Sequence, residues 1–294
     1  MSGPCRVGIV GVGNMGGAVA QRLLGLGWSV NACDLVAAKV AALQALGARP
    51  AVDPAQAAEG AGALIVCVVD AAQSEAVLFG ERGAAAALAP GAPVLLCPTI
   101  APEDVAGLAA RLAAGGLHPL DAPMSGGPAR AREGTMSLMV ACSDEAWQQA
   151  QGLVAALSSQ VFRVGDRCGD GARTKLVNNL LAAINLAGAA EAMALAQRLG
   201  LDPGRTLDVI ERSSGQSWIG SDRMRRALAG DYAPRAHVNL LRKDTRLAVA
   251  MARQAGFEGP LGPVAAGVFE QAAQAGLGEL DDAALLQLLG GQRT

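Results

Sequence analysis

What this chain has little of narrows its function first. Lysine is nearly absent: of 24 basic residues only Lys39, Lys175 and Lys243 are lysines, the other 21 being arginine. Histidine occurs twice, as His118 and His237. Each precedes or enters a structural transition, so both are read as structural. Six cysteines (Cys5, Cys33, Cys67, Cys97, Cys142, Cys168) form no C-x-x-C pair and no Cys/His spacing of a zinc site. No metal is implied, and reduced thiols in a cytosol fit better than a disulfide scaffold. Four of them fall in expected strands, where a thiol behaves as a small hydrophobe. Aromatic residues make up only 3 % of the chain, so packing must rely on small side chains. The net charge is -2 with no run of one sign, which gives nucleic acid or an anionic membrane nothing to hold. The longest apolar run, 180–190, is interrupted by Asn185 and is too short to span a bilayer. The opening Met1-Ser-Gly-Pro-Cys-Arg lacks signal-peptide architecture. The expectation is a soluble, cytoplasmic protein.

What is present is order. A chain of 294 residues with 51 % apolar side chains can bury a sizeable core and fill two domains. A β-run from Cys5 to Val10 meets Gly11-Val12-Gly13-Asn14-Met15-Gly16, then a helical stretch to Leu26 and a strand, 29–33, that ends at Asp34. G-x-G-x-x-G between a strand and a helix, with an acid at the end of the second strand, is the pattern of a dinucleotide site. The glycines let backbone N–H groups reach a pyrophosphate at a helix amino terminus. Asp34 can accept from both ribose hydroxyls and would repel a 2′-phosphate, so NAD is favoured over NADP. Strands at 61–69 and 93–97 continue the pattern. Ligands in open α/β sheets sit beyond the carboxyl ends of strands, which adds Val68, Val69, Gln73 and Thr99 as groove candidates. For Thr99, capping of the helix from Pro102 is an equal reading. Ser125-Gly126-Gly127 exposes a hydroxyl and consecutive backbone N–H groups, a nest that suits a carboxylate. Val161-Phe-Arg-Val is the last strand expected of this part.

From Gly169 the character changes. Residues 170–199 read as one long helix of Ala, Leu, Met, Gln and Arg without proline, closed by Gly200. Lys175 and Asn179 are four apart and so project from one face. Sequence before this helix alternates strands with helices; sequence after it is helical.

Four motifs in order resemble those of the β-hydroxyacid dehydrogenase family: Gly11 to Gly16, Asp121-Ala-Pro-Met-Ser-Gly-Gly127 with Gly134-Thr, Gly171-x-x-x-Lys175-x-x-Asn178-Asn179, and Lys243-Asp244. The resemblance covers the whole chain, and segments 68–80 and 230–244 are similar to the L-threonate dehydrogenase branch. Ala141-Cys142 stands where the family commonly has Gly-Gly. The resemblance implies an α/β fold with a Rossmann-like doubly wound sheet, followed by an all-α carboxyl-terminal domain joined by the long interdomain helix. The dinucleotide domain is placed at 1–166 and the helical substrate and dimerisation domain at 167–294. It also implies NAD-dependent oxidation of a small β-hydroxy acid, L-threonate-like or 3-hydroxyisobutyrate-like, by hydride transfer. By the same resemblance Lys175 is the catalytic residue, its ammonium made more acidic by desolvation. Asn179 would orient the substrate, Ser125, Gly126 and Gly127 would hold its carboxylate, and Lys243, fixed by Asp244, would reach the cofactor.

Rivals are weighed on the same residues. A tartronate semialdehyde reductase would use the same groups in the other direction. A non-catalytic dinucleotide sensor could discard Lys175 and Asn179, and both are present. An imine reductase is expected to replace the lysine. A 6-phosphogluconate-type decarboxylase needs a longer carboxyl-terminal domain and a phosphate cluster. The Ala-rich helices leave apolar faces to cover, which predicts a homodimer or homotetramer.

Overall fold

The computed structural model describes residues 6–291; Cys5 lies outside them. The chain divides into two compact units, with the division after Lys175.

The first unit is built on nine strands. β1 (Arg6–Val10), β2 (Ser29–Cys33), β3 (Arg49–Pro50), β4 (Ala63–Val66), β5 (Pro93–Leu96) and β6 (His118–Asp121) are parallel and lie in the order β3-β2-β1-β4-β5-β6. That is the order of a doubly wound dinucleotide fold. Register is continuous, from Arg6 opposite Ser29 to Val10 opposite Cys33. The sheet then turns back. β7 (Met124–Ser125) and β6 both pair antiparallel with β8 (Ser137–Ala141), which β9 (Gln160–Gly165) extends in parallel.

Near-continuous apolar strands mean that both faces are covered. Val7, Ile9, Ala63, Ile65 and Leu95 enter one core with α1 (Asn14–Gly25) and α7 (Asp144–Leu157). Their neighbours Val10, Leu64, Val66, Val94 and Leu96 enter the other, with α3 (Pro54–Ala58) and α5 (Pro102–Ala114). The two-residue period of a strand sorts them. Two further helices, α2 (Ala37–Gln44) and α4 (Ala71–Phe79), complete the crossovers, and α6 (Gly127–Glu133) follows β7.

Helix α8 (Asp170–Arg198) runs through the boundary into the second unit. It ends as its sequence predicts. Gly200 takes a positive φ of 71°, and the N–H groups of Gly200 and Leu201 return to the carbonyls of Gln197 and Ala196. By length and composition α8 could cross a membrane. Of its most apolar window 44 % is buried inside the protein, and the core helix of a folded unit meets the same length and composition. The second unit adds α9 (Pro203–Glu211), α10 (Trp218–Leu228), α11 (Val238–Gln254), α12 (Leu261–Ala272) and α13 (Leu285–Gly290) around Met193, Met224, Phe269 and Leu285. Inside it Arg226 Nη2 donates to Asp281 Oδ1 at 2.7 Å, and Arg223 pairs with Asp282. Asp281 Oδ2 accepts from the Arg235 N–H at 2.8 Å, which fixes the segment leading into α11.

The described cysteines are free thiols. Cys33 lies in a strand, while Cys67 and Cys97 stand one residue beyond theirs. Burial pushes the thiols of Cys33 and Cys142 up to about 11 and that of Cys168 up to about 12.

Candidate active site

The glycine turn in the first unit is built as a nucleotide cradle. Gly11 has φ +88°, and a Cβ there would stand 2.6 Å from the Cys67 carbonyl oxygen. At Gly16 it would fall 2.0 Å from the Gly11 carbonyl oxygen, so only glycine lets α1 start so close to β1. Gly13 differs: a Cβ there would meet only Lys39 Nζ, 4.0 Å away. One glycine makes the turn, one packs the helix, and one leaves its backbone open to a ligand. The residues therefore fit a dinucleotide. Asn14 and Met15 form the first turn of α1.

Asp34 is held from both sides. Its Oδ2 accepts from the Val12 N–H at 2.8 Å and its Oδ1 from the Val36 N–H at 2.9 Å, while Lys39 Nζ lies 3.6 Å from Oδ1. The carboxylate thus closes the turn and also faces the cradle. Lys39 was not singled out from sequence as part of this site. Its signal was present, as one of three lysines five residues beyond Asp34.

Beyond β4, Val68 and Val69 lead to Asp70, whose carboxylate caps α4 by accepting the Gln73 N–H at 2.8 Å. The Gln73 amide turns back and accepts the Val69 N–H at 3.0 Å, a reciprocal cap that fixes the loop end. Thr99 does not cap α5: Ala101 takes that position, without a side-chain bond. At Ser125-Gly126-Gly127 the chain leaves β7 and enters α6 with φ of +116° and +79° at the two glycines. Both residues sit in a region of φ that L side chains rarely adopt, which is why the turn into α6 takes two glycines.

Asp121 emerges as a residue whose role sequence did not disclose. It ends β6 and is 1 % exposed. Its Oδ2 accepts from the N–H groups of Gly169 at 2.8 Å and Ala172 at 2.9 Å, at the start of α8. Burial nevertheless pushes its carboxyl up to about 6, against the pull of those bonds. A Cβ on Gly171 would lie 2.8 Å from the Asp121 carboxyl carbon. That close approach explains the glycine in Gly171-x-x-x-Lys175. The sheet end fastens the first turn of α8, and Lys175, 8 % exposed, follows one turn later.

In the second unit Asn179, 7 % exposed, donates from Nδ2 to Asp244 Oδ2 at 2.7 Å and accepts at Oδ1 from Asn178 Nδ2 at 3.0 Å. Lys243 Nζ lies 2.8 Å from Asp244 Oδ1. One carboxylate thus orients both the amide and the ammonium. The histidines stand in ordinary contacts, His118 Nε2 being 3.8 Å from Glu145 and His237 Nδ1 2.9 Å from the Glu279 carbonyl oxygen. Among the described residues no group of three His, Cys, Asp or Glu could hold a metal ion.

Comparison with known proteins agrees with this layout. Residues 6–165 match the family described as the NAD-binding domain of 6-phosphogluconate dehydrogenase. Residues 169–289 match the one described as NAD-binding of NADP-dependent 3-hydroxyisobutyrate dehydrogenase. The chain is 41 % identical to an L-threonate dehydrogenase of Cupriavidus necator, over 97 % of this chain and 96 % of that protein. It is 38 % identical to a 3-hydroxyisobutyrate dehydrogenase of Pseudomonas aeruginosa, over 92 % of each. A crystal structure of 3-hydroxyisobutyrate dehydrogenase from Salmonella typhimurium superposes with a TM-score of 0.91 at 38 % identity, covering 96 % of this chain and 99 % of that one.

Proposed function

The chain belongs to the β-hydroxyacid dehydrogenase family, and from that premise we propose that it oxidises a small β-hydroxy carboxylate, L-threonate foremost, with Lys175 as the catalytic residue. As a member it is a dinucleotide-dependent oxidoreductase acting on CH–OH. When bound, the dinucleotide supplies the hydride acceptor. The roles of this chain's own residues follow from their chemistry. Ser125 and the N–H groups of Gly126 and Gly127 bind the substrate carboxylate. Asn179, its amide set by Asp244, hydrogen-bonds the substrate and orients it. Lys175 Nζ takes the hydroxyl proton during oxidation and returns it in the reverse direction. Lysine suits this task because it exchanges its proton near neutral pH more readily than arginine, which keeps its own. Residues Gly11, Val12, Gly13, Asn14 and Met15 cradle the pyrophosphate, with Val68, Val69, Gln73 and Thr99 along the groove and Lys243 on the cofactor.

Asp34 favours NAD over NADP. Residues 1–166 serve the cofactor and 167–294 the substrate and assembly, and we place the enzyme in the cytoplasm. The observation that carries this reading is the burial of Lys175 on a helix whose first turn is tied to the sheet by Asp121, in a chain that otherwise uses arginine. The test is NAD-dependent oxidation of L-threonate, D-threonate, 3-hydroxyisobutyrate, D-glycerate and L-serine by wild type and Lys175→Ala. Turnover of one acid by wild type alone is the expected result. Equal turnover by both proteins would remove Lys175 from the chemistry, and no turnover with NAD still bound would remove the substrate class.

A further inference from the structure

Two free thiols stand side by side next to the glycine turn. β4 and β5 are parallel neighbours, with Ile65 opposite Leu95 and Val66 opposite Leu96. The pairing runs one residue past β5, where the Cys97 N–H donates to the Val66 carbonyl oxygen at 3.0 Å. That sets Cys67 level with Cys97. The two-residue period gives both side chains the face of Ile65 and Leu95, and both pack in the core that α1 covers. Their thiols share a hydrogen bond, which together with burial holds Cys97 well above the usual thiol range. Neighbouring strands lie about 4.8 Å apart, inside the roughly 4.4–6.8 Å that a disulfide spans between Cα atoms.

Cys67 also touches the cradle. A Cβ on Gly11 would lie 2.6 Å from its carbonyl oxygen, and a Cβ on Gly16 would lie 3.0 Å from its own Cβ. The turn and the first turn of α1 are thus both packed on this one cysteine. Cys67 is half-buried, whereas Cys97 is only 6 % exposed.

We propose that Cys67 and Cys97 form a reversible disulfide that loosens the dinucleotide cradle, so that cofactor binding answers to hydrogen peroxide. This rests on the cradle and not on which acid is oxidised. Two steps balance the chemistry. The Cys67 sulfur, the more accessible one, attacks a peroxide oxygen. The O–O bond breaks, Cys67 becomes the sulfenic acid, and the other oxygen leaves as water with the thiol proton. The Cys97 sulfur then attacks that of Cys67. An S–S bond forms, the S–O bond breaks, and the hydroxyl leaves as water with the Cys97 proton. Two electrons pass from the thiols to one peroxide, and a small thiol such as glutathione returns them by exchange. Closing the bond draws the sulfurs to about 2 Å. Cys97 is set in the core, so Cys67 gives way, and with it the carbonyl beneath Gly11.

Trypsin separates the pair, because residues 40–82 hold Cys67 and residues 83–111 hold Cys97, each with no other cysteine. After peroxide and iodoacetamide the two peptides should appear linked, and dithiothreitol should part them. The oxidised protein should bind NADH about tenfold more weakly by fluorescence titration, and dithiothreitol should restore the affinity. By linkage, saturating NADH should make the disulfide tenfold easier to reduce, a rise of about 30 mV in glutathione buffers. Cys97→Ala leaves Cys67 in place. It should bind NADH as the reduced wild type does, give no linked peptide, and after peroxide take a dimedone tag within residues 40–82. Absence of the linked peptide in wild type overturns the proposal. So does a linked protein whose NADH affinity is unchanged. Failure of reduced wild type to bind NADH overturns the cradle as well. These readouts need no substrate, so failure of the hydroxy acid reading would not move them.

Discussion

Replacing Gly171 by alanine sets two physical effects against each other within one helix. Helix propensity alone makes Gly→Ala stabilising by about 1 kcal/mol in a helix interior. At Gly171 the new methyl would stand 2.8 Å from the Asp121 carboxyl carbon and 2.9 Å from each of its oxygens. Ordinary contact needs a further half ångström or more. Asp121 is 1 % exposed and cannot swing into solvent, so the carboxylate or the helix must move. Either movement stretches the bonds from the Gly169 and Ala172 N–H groups. Overpacking costs about 1–3 kcal/mol and weakening hydrogen bonds to a buried carboxyl a further 1–3. Set against the propensity gain, the net loss is about 1–5 kcal/mol. For a unit of this size that lowers Tm by roughly 2–20 °C. Gly107→Ala in α5 is the matched control in the same unit, since a Cβ there meets nothing within 4 Å. It should raise Tm by about 2–3 °C. Calorimetric melting of the two variants against wild type decides the matter. If Gly171→Ala melts at or above wild type, Asp121 does not hold the start of α8 in the way described.

Three further outcomes follow from the same contacts. If Asp34 accepts from the ribose as proposed, Asp34→Ala, which leaves Lys39 in place, should raise KM for NAD about tenfold or more and lower the NAD to NADP ratio of kcat/KM; an unchanged ratio would contradict that role. Asp244→Ala frees the Asn179 amide and the Lys243 ammonium together, so kcat/KM for the acid should drop about 10- to 100-fold, measured by steady-state kinetics on the substrate that wild type turns over. Asp121 and Asp282 have carboxyls raised to about 6 by burial. The folded chain therefore binds these protons more tightly than the unfolded chain, and their contribution to stability grows as pH falls from about 7 towards 4, by at most about 2–3 kcal/mol each. Asp281, lowered to about 2 by Arg226 and backbone N–H groups despite its burial, has the opposite sign, and its contribution is lost only below about pH 4. Urea midpoints across pH 4–8 for wild type and Asp121→Asn would show the difference as a flatter profile in the variant.

Local patterns made the first half of the fold legible. Gly11 to Gly16 lies between a strand and a helix, and the φ of Gly11 and the crowding at Gly16 are what such a motif demands. The exit of α8 at Gly200 was equally readable, because a left-handed cap leaves its mark in one residue. Helix α6 was not anticipated. It opens on Gly126-Gly127-Pro128, which reads as a turn, and Gly126 before the helix and Gly127 at its first position both take positive φ. The reciprocal cap of Asp70 and Gln73 had a signal in their spacing, an acid followed three residues later by glutamine. Asp121 had none of its own. Its partners lie 48 and 51 residues away, and only the neighbouring requirement for glycine at 171 hints at them. Asp244 was expected to fix Lys243, but its bond to Asn179 spans 65 residues and needed coordinates.

The sulfur chemistry of the chain carries a consequence for handling and use. With pKa values near 11 or 12, the sulfurs of Cys33, Cys142 and Cys168 are ionised to the extent of roughly one part in ten thousand or less at pH 7. Alkylating agents and peroxide act on the thiolate, so at these three positions they meet almost nothing to attack. Peroxide and iodoacetamide should leave them unmodified while the protein stays folded, and a reductant in storage buffer is not needed on their account.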